Sequence, residues 1–147
     1  MTKLYERDFY GWTQDQADAL RRRSVNELDW ENLLEEVESM GRQERDTLKS
    51  RLIVLLLHLL KWEHQPDRRG RSWALTILEQ RARAQELLDE NPSLRPVIGD
   101  VVASAYRLAR IRAAKETRLP IRSFPKDSPF DWASAMSEPA LSEDDVD

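Results

Sequence analysis

Five polar side chains in the first half of the sequence could form a catalytic or binding site. Glu35 and Glu38 belong to a strongly acidic predicted helix, His58 and Lys61 to the next predicted helix, and Arg69 to the loop that follows it. Carboxylates, an imidazole and two cations are the groups that acid–base chemistry or an anionic ligand requires. These five residues are therefore the candidate polar site of an enzyme or ligand-binding protein.

The predicted helix over 27–40 carries six acidic residues and no basic one. Three of them, Glu31, Glu35 and Glu38, recur at spacings of four and three and therefore share one face. Such a row can bind metal in a helical bundle, but di-iron bundles also need Glu-x-x-His pairs on other helices. The sequence has only two histidines and no such pair, so we predict no metal site and no cofactor. A solvated acidic face and a surface for a basic partner are the alternatives.

His58 stands at the centre of the apolar sequence LLLHLLKW. A buried imidazole needs hydrogen-bond partners. One hypothesis is a bond to a carboxylate in a polar pocket that Lys61 or Arg69 also reaches. The alternative is a bond to a tyrosine or a backbone oxygen in a dry core. His64 lies about 240° around the helix from His58, so we do not expect the two rings to share a metal ion.

An arginine cluster surrounds Trp73 in the loop and helix over 68–83. Arginines can hold phosphate or nucleic acid, or they can pair with the acidic helix. The pI of about 5.3 lacks the basic signature of typical nucleic-acid-binding domains, so nucleic acid is disfavoured as a partner. The cluster consists of Arg68, Arg69, Arg71, Arg81 and Arg83.

Apolar residues recur at helical spacing almost throughout, which predicts an all-α fold, a single-domain helical bundle of about five helices. A central helix near 42–65 is apolar on nearly every face between Leu48 and Leu60, so we expect it to be buried. Gly41 predicts a turn before this helix, and one kinked helix over 27–65 is the alternative. The acidic helix carries an apolar stripe, formed by Leu33, Leu34, Val37 and Met40.

Three further helices are predicted from capping residues and prolines. They span about 13–23, 72–90 and 93–117, with Thr13, Ser72 and Ser93 as the expected N-caps. We predict one domain over 1–136. The acidic end at 137–147 has few apolar anchors and is predicted to be a flexible tail.

The net charge of −4 conceals an asymmetry along the chain. Residues 1–50 hold 8 basic and 12 acidic residues, residues 51–122 hold 14 and 8, and residues 123–147 hold 1 and 7. An acidic front, a basic middle and an acidic tail can attract one another within the fold or between chains.

Composition excludes several classes of protein. The 147 residues contain no cysteine and only four glycines, which excludes a disulfide scaffold and cysteine catalysis and disfavours phosphate-cradling loops. The longest apolar run has six residues, whereas a membrane-spanning helix needs about 20. The first residues, MTKLYERDFYGW, lack the apolar run of a signal peptide and contain acidic residues. We therefore expect a cytoplasmic protein that does not insert into a membrane.

The order of several motifs resembles the DUF29 family of bacterial proteins. These motifs are LYERDFYGW, ELDWENLLEEVESMGRQER, SRLIVLLLHLLKWEHQPDRRGRSWALTILEQR, LRPVI and FPKDSPF, and together they cover about residues 4–132. The resemblance implies an α-helical fold and implies no particular reaction. An aromatic residue often stands at His64 in the family and a cysteine at Ser128. The recurrent polar positions match Glu35, Glu36, Glu38, Gly41, His58, Lys61, Trp62, Gln65, Pro66, Arg69 and Trp73 of this chain.

The sequence as a whole favours a small helical protein that acts through protein–protein contacts or regulates a partner. An enzyme or ligand-binding protein built on the candidate polar site is the alternative, and a nucleic-acid-associated regulator is a third. The sequence does not identify the protein partner, and a homo-oligomer is one of the alternatives. An enzyme requires a pocket where the five residues converge, whereas an interaction module requires an exposed surface of interface size.

Overall fold

A computed structural model describes residues 2–147. Within these residues the chain forms helices and turns and no strand, so the predicted all-α fold is confirmed. The chain divides into two compact units, an N-terminal unit (Met1–Gln43) and a C-terminal unit (Glu44–Asp147). The helices are α1 (Thr2–Arg7), α2 (Phe9–Arg21), α3 (Trp30–His64), α4 (Arg71–Glu90), α5 (Ile98–Thr117) and α6 (Trp132–Ser137). Short 3-10 turns lie at Val25–Glu27, Pro66–Arg68, Pro92–Val97, Ile121–Ser123 and Glu143–Asp145.

The helix predicted to begin at Thr13 begins four residues earlier. Asp8 is the N-cap of α2, because its carboxylate accepts a hydrogen bond from the Gly11 amide at 3.0 Å. The Thr13 hydroxyl instead donates to the carbonyl of Tyr10. The predicted cap at Thr13 is therefore wrong, since the earlier aspartate already satisfies the first amides of the helix.

A single helix, α3, runs from Trp30 to His64. The turn expected at Gly41 is wrong, and the alternative of one helix is correct. No atom of a neighbouring residue lies within 4 Å of where a Cβ of Gly41 would stand, so no close approach requires the glycine. One exposed glycine costs about 1 kcal/mol relative to alanine, which does not break a helix of 35 residues.

The second half of α3 is the centre of the C-terminal unit, as its apolar sequence predicted. Its leucines are buried on every side between Leu48 and Leu60. Ile77 and Leu88 of α4 and Val101 of α5 belong to the same apolar core. The face of α5 in this core includes three fully buried alanines, Ala105, Ala109 and Ala113.

The two following helices begin at other residues than the expected serines. Gly70 is the N-cap of α4, which starts at Arg71 rather than after Ser72. A 3-10 turn over Pro92–Val97 precedes α5, so that helix starts at Ile98 and not after Ser93.

The segment 137–147 has anchors that its composition does not reveal. Val146 is buried, and the Arg71 Nε donates a 2.8 Å hydrogen bond to its carbonyl. The buried guanidinium of Arg81 donates to the carbonyls of Ala135 at 2.9 Å and Pro139 at 2.8 Å. The composition of this segment predicts a mobile tail, whereas these contacts predict an anchored one. Removal of the segment distinguishes the two predictions.

Replacing Gly41 by alanine tests the continuity of α3. The expected result is a gain of about 0.5–1 kcal/mol in the free energy of unfolding, because alanine loses less backbone entropy in a helix. Chemical denaturation measures it. Gly11→Ala is the contrasting variant, since its Cβ would stand 2.5 Å from a carboxylate oxygen of Asp8 and displace the cap of α2. A loss of stability in Gly41→Ala would mean that the chain turns at this residue.

Truncation after Ser137 tests the anchors of the C-terminal segment. We expect the melting temperature to fall by several degrees, because the truncation exposes apolar surface around Val146 and leaves part of a buried guanidinium without its acceptor. Differential scanning calorimetry of both chains measures the change. A chain that melts at the same temperature would show that the segment is a mobile tail.

Candidate functional site

His58 and Lys61 lie together on one side of α3, one helical turn apart. Lys61 Nζ forms a 3.0 Å ion pair with Glu116 of α5 and lies 4.9 Å from the ring centroid of Trp73 on α4. Its side chain is only 13% exposed. The ammonium is thus neutralised by a carboxylate and an aromatic face, and it joins three helices instead of serving as a free nucleophile.

The hydrogen bond of His58 goes to the backbone and not to a carboxylate. Its Nδ1 lies 2.8 Å from the carbonyl oxygen of Val54. Because a carbonyl oxygen only accepts, Nδ1 carries the hydrogen. Burial lowers the pKa of His58 below its ordinary value of 6.5, and the positive charge of Lys61 lowers it further, against opposing effects of the Val54 bond and Glu116. The partner of Nδ1 is therefore the backbone oxygen that the alternative names, although the ring is only partly buried and not in a dry core.

Arg69 lies apart from the His58–Lys61 pair, beside Trp62. Its Nε donates to the carbonyl of Trp62 at 2.7 Å, and its guanidinium lies 5.2 Å from the centroid of the Trp62 ring. Arg69 and Trp62 also line a cavity of about 440 Å³ together with Arg71 and Val146. The arginines of the cluster therefore make several different contacts. Arg83, for example, forms an ion pair with Glu79 on its own helix.

Glu35 and Glu38 belong to the N-terminal unit, whereas the other three candidate residues belong to the C-terminal unit. Glu35 forms a 3.1 Å ion pair with Arg42. Glu38 is exposed, and no ion pair to it is present among the side chains described, those of residues 4–147. The structure therefore gathers two of the five candidate residues and places the remaining ones in different surroundings.

A group of hydrogen bonds that sequence reasoning missed converges on Asp29, just before α3. Trp12 Nε1 donates to its carboxylate at 2.9 Å, and Asn32 Nδ2 donates to the same oxygen at 2.8 Å. The buried amide of Gln16 accepts from the Asp29 backbone amide at 2.7 Å. The bond from Asn32, assisted by Trp12, lowers the pKa of Asp29. The available signal was an aspartate at a helix start followed three residues later by an asparagine side chain.

A second polar contact holds the same side of α3. Tyr5 of α1 donates its hydroxyl to Glu36, and this carboxylate raises the pKa of Tyr5 to about 12. Tyr5 also packs edge-on against Trp12 and Phe9, at centroid distances of 4.8 and 5.6 Å. The side of α3 that packs within the N-terminal unit is therefore the one that carries Asp29, Asn32 and Glu36.

Most of the apolar stripe predicted on the acidic helix faces solvent. Large apolar side chains stand on the side of α3 that does not pack within the N-terminal unit, with exposed fractions of 58–64%. Of the predicted stripe, only Leu33 is partly buried. Glu31 and Glu38 stand beside them, and neither takes part in an ion pair within the described part of the chain. We name this surface the α3 outer face and define it by Trp30, Glu31, Leu34, Val37 and Glu38.

Two larger cavities have linings other than the predicted residues. One of about 490 Å³ lies in the N-terminal unit beside the Asp29 contacts, with charged residues such as Arg7, Asp15 and Arg22 at its wall. Another of about 790 Å³ lies between α5 and the segment 121–128. Over residues 2–147, no group of three or more His, Asp or Glu side chains could hold a metal ion. Nor does any described helix have the length and apolarity to cross a membrane.

Comparison with known proteins identifies one family. The model of a domain of unknown function, DUF29, matches residues 4–140 of the chain. No curated protein matches significantly, and no solved structure does either.

The lowered pKa of His58 predicts a specific loss of stability in acid. At a pH below 6.5 the unfolded chain binds a proton that the folded protein binds only at a lower pH. The contribution of His58 to stability is therefore fully present above pH 6.5 and is lost as the pH falls from 6.5 to the pKa of the folded protein. His58→Gln keeps an N–H for Val54 but does not titrate. Denaturant titrations at several values of pH should show a larger acid loss in the wild type than in this variant. Equal losses would contradict a lowered pKa at His58.

Proposed function

Because the chain belongs to the DUF29 family, which is defined by a domain of unknown function, we propose that it is a protein-interaction module. Its binding surface is the α3 outer face. The observation that carries the proposal is the exposure of three large apolar side chains on one side of a single helix, namely Trp30, Leu34 and Val37. Contiguous apolar patches rimmed by polar residues mark interaction sites on proteins.

The exposure of this face follows from contacts on the opposite side of the helix. Asp29, Asn32 and Glu36 are already committed to hydrogen bonds within the N-terminal unit. Rotating α3 to bury Leu34 and Val37 would break those hydrogen bonds. The apolar face is therefore held toward solvent, where only a binding partner can bury it.

The charges on the α3 outer face point to a partner with basic as well as apolar side chains. Glu31 and Glu38 flank Leu34 and form no ion pair with the side chains of residues 4–147, which are the ones described. The whole N-terminal unit holds six basic and ten acidic residues, so its field repels acidic surfaces and nucleic acid. A cytoplasmic location and a bacterial origin stay predictions.

The enzyme alternative has less support. Lys61 is neutralised by Glu116 and Trp73, and the Nδ1 of His58 is bound to a backbone carbonyl. Glu35 is paired with Arg42. An interaction module requires only the exposed face, which is present.

Site-specific photocrosslinking in the native cell tests the proposed function. A photoreactive phenylalanine analogue at Leu34 is expected to give a discrete protein adduct, because that position lies at the middle of the α3 outer face. The same analogue at Leu75, an exposed leucine of α4, should give none. Equal labelling at both positions, or no adduct at Leu34, would contradict the proposal.

Charge reversal gives the matched control. Glu31→Lys with Glu38→Lys should weaken the Leu34 adduct severalfold, since the basic side chains of the partner would then be repelled. Glu86→Lys with Glu90→Lys changes the net charge equally at exposed positions of α4 and should leave the adduct unchanged. All four positions are exposed, so circular dichroism should show unchanged folding.

A further inference from the structure

A second exposed apolar surface lies on α5, and its charge is opposite to that of the α3 outer face. Leu108 is 42% and Ile111 55% exposed, and exposed cations surround them. None of these cations takes part in an ion pair within the described residues. We name this surface the α5 outer face and define it by Arg107, Leu108, Ile111, Arg112 and Lys115.

The α5 outer face borders a preformed concave site. The cavity of about 790 Å³ is lined by Ile111 of α5 and Ile121 of the following turn, and Arg107 is part of its wall. Its shape is fixed by two bonds from α5 to the segment that forms the other wall. Tyr106 donates its hydroxyl to the carbonyl of Pro125 at 2.5 Å, and Arg110 donates to that of Phe124 at 3.2 Å.

The cavity suits an aromatic anchor that arrives with acidic neighbours. Lys126 and Arg110 also line it, so cations outnumber the acidic lining residues Asp100 and Asp127. Trp30 is the most exposed apolar side chain of the α3 outer face at 64%, and Glu31 stands next to it. A tryptophan that fills a pocket flanked by arginine is a typical centre of a protein interface.

We propose that the partner of the α3 outer face is the α5 outer face of a second copy of this chain. This proposal rests on the proposed function and specifies its partner. Contact between two α3 outer faces would oppose acidic side chains, and contact between two α5 outer faces would oppose cations. Only the unlike pair brings apolar side chains together while matching opposite charges.

This pairing is heterologous, because each copy uses one surface to bind and a different one to be bound. A dimer of this kind keeps one free face at each end, so association continues until a ring closes or a filament grows. Self-association should therefore increase with protein concentration beyond the dimer and weaken at high salt.

Light scattering during size-exclusion chromatography tests the proposal. The wild type should exceed the 17.2 kDa of one chain as its concentration rises. Leu34→Gln with Val37→Gln removes the apolar part of one face, and Leu108→Gln with Ile111→Gln removes that of the other. Each double variant should be monomeric, since either change destroys every contact of a uniform population. Leu75→Gln is the matched control and should associate like the wild type.

Mixing the two double variants gives the decisive result. Each retains the face that the other lacks, so an equimolar mixture should form dimers of one copy of each and grow no further. A mixture that stays monomeric would overturn the proposal. So would a Leu108→Gln, Ile111→Gln variant that still associates, because the α5 outer face would then be dispensable. Unchanged melting temperatures establish that the variants are folded.

The outcomes separate this proposal from the proposed function. A wild type that is monomeric at every concentration overturns self-association. If the Leu34 photocrosslink then identifies a different protein, the interaction module stands and only its partner was misassigned. A monomer without any adduct at Leu34 would overturn both.

Discussion

The hydrogen bonds that converge on Asp29 determine which side of α3 is free to bind. Trp12 and Asn32 donate to its carboxylate, and Gln16 accepts from its backbone amide. Asp29 and Leu34 lie about 140° apart around the helix axis, so fixing Asp29 inward turns Leu34 outward. The N-terminal unit thus packs α3 through polar and aromatic contacts and leaves its more apolar side in solvent.

The second half of α3 obeys the opposite constraint. It is apolar nearly all round, and burial of every side leaves little room for free polar groups. The two histidines that occur there bond their own helix, His58 to Val54 and His64 to Leu60. Recognition is therefore better placed on the outer surfaces of α3 and α5 than in the core.

The sequence was most informative where one physical effect dominates. A helix with leucines on all faces must be buried, and Pro66 follows α3 closely, so the central helix was predictable. Gly41 was misread because glycine costs about 1 kcal/mol in a helix, too little to end a long one. The orientation of Leu34 was also missed, since hydrophobic spacing identifies an apolar side without showing what covers it. The contacts of Asp29 and Lys61 join residues far apart in sequence, and no local pattern encodes them.

Within the described structure, few ion pairs join the acidic and basic regions of the chain. Most ion pairs present there are local, such as Arg22 with Asp18, Arg42 with Glu35 and Arg83 with Glu79. Lys61 with Glu116 is the pair that joins distant parts of the sequence. Local pairs leave the difference between an acidic N-terminal unit and a basic α5 uncompensated. Since exposed charges of opposite sign attract over about a Debye length, this difference is available to orient one copy against another, and the apolar side chains beside those charges can then stabilise the contact.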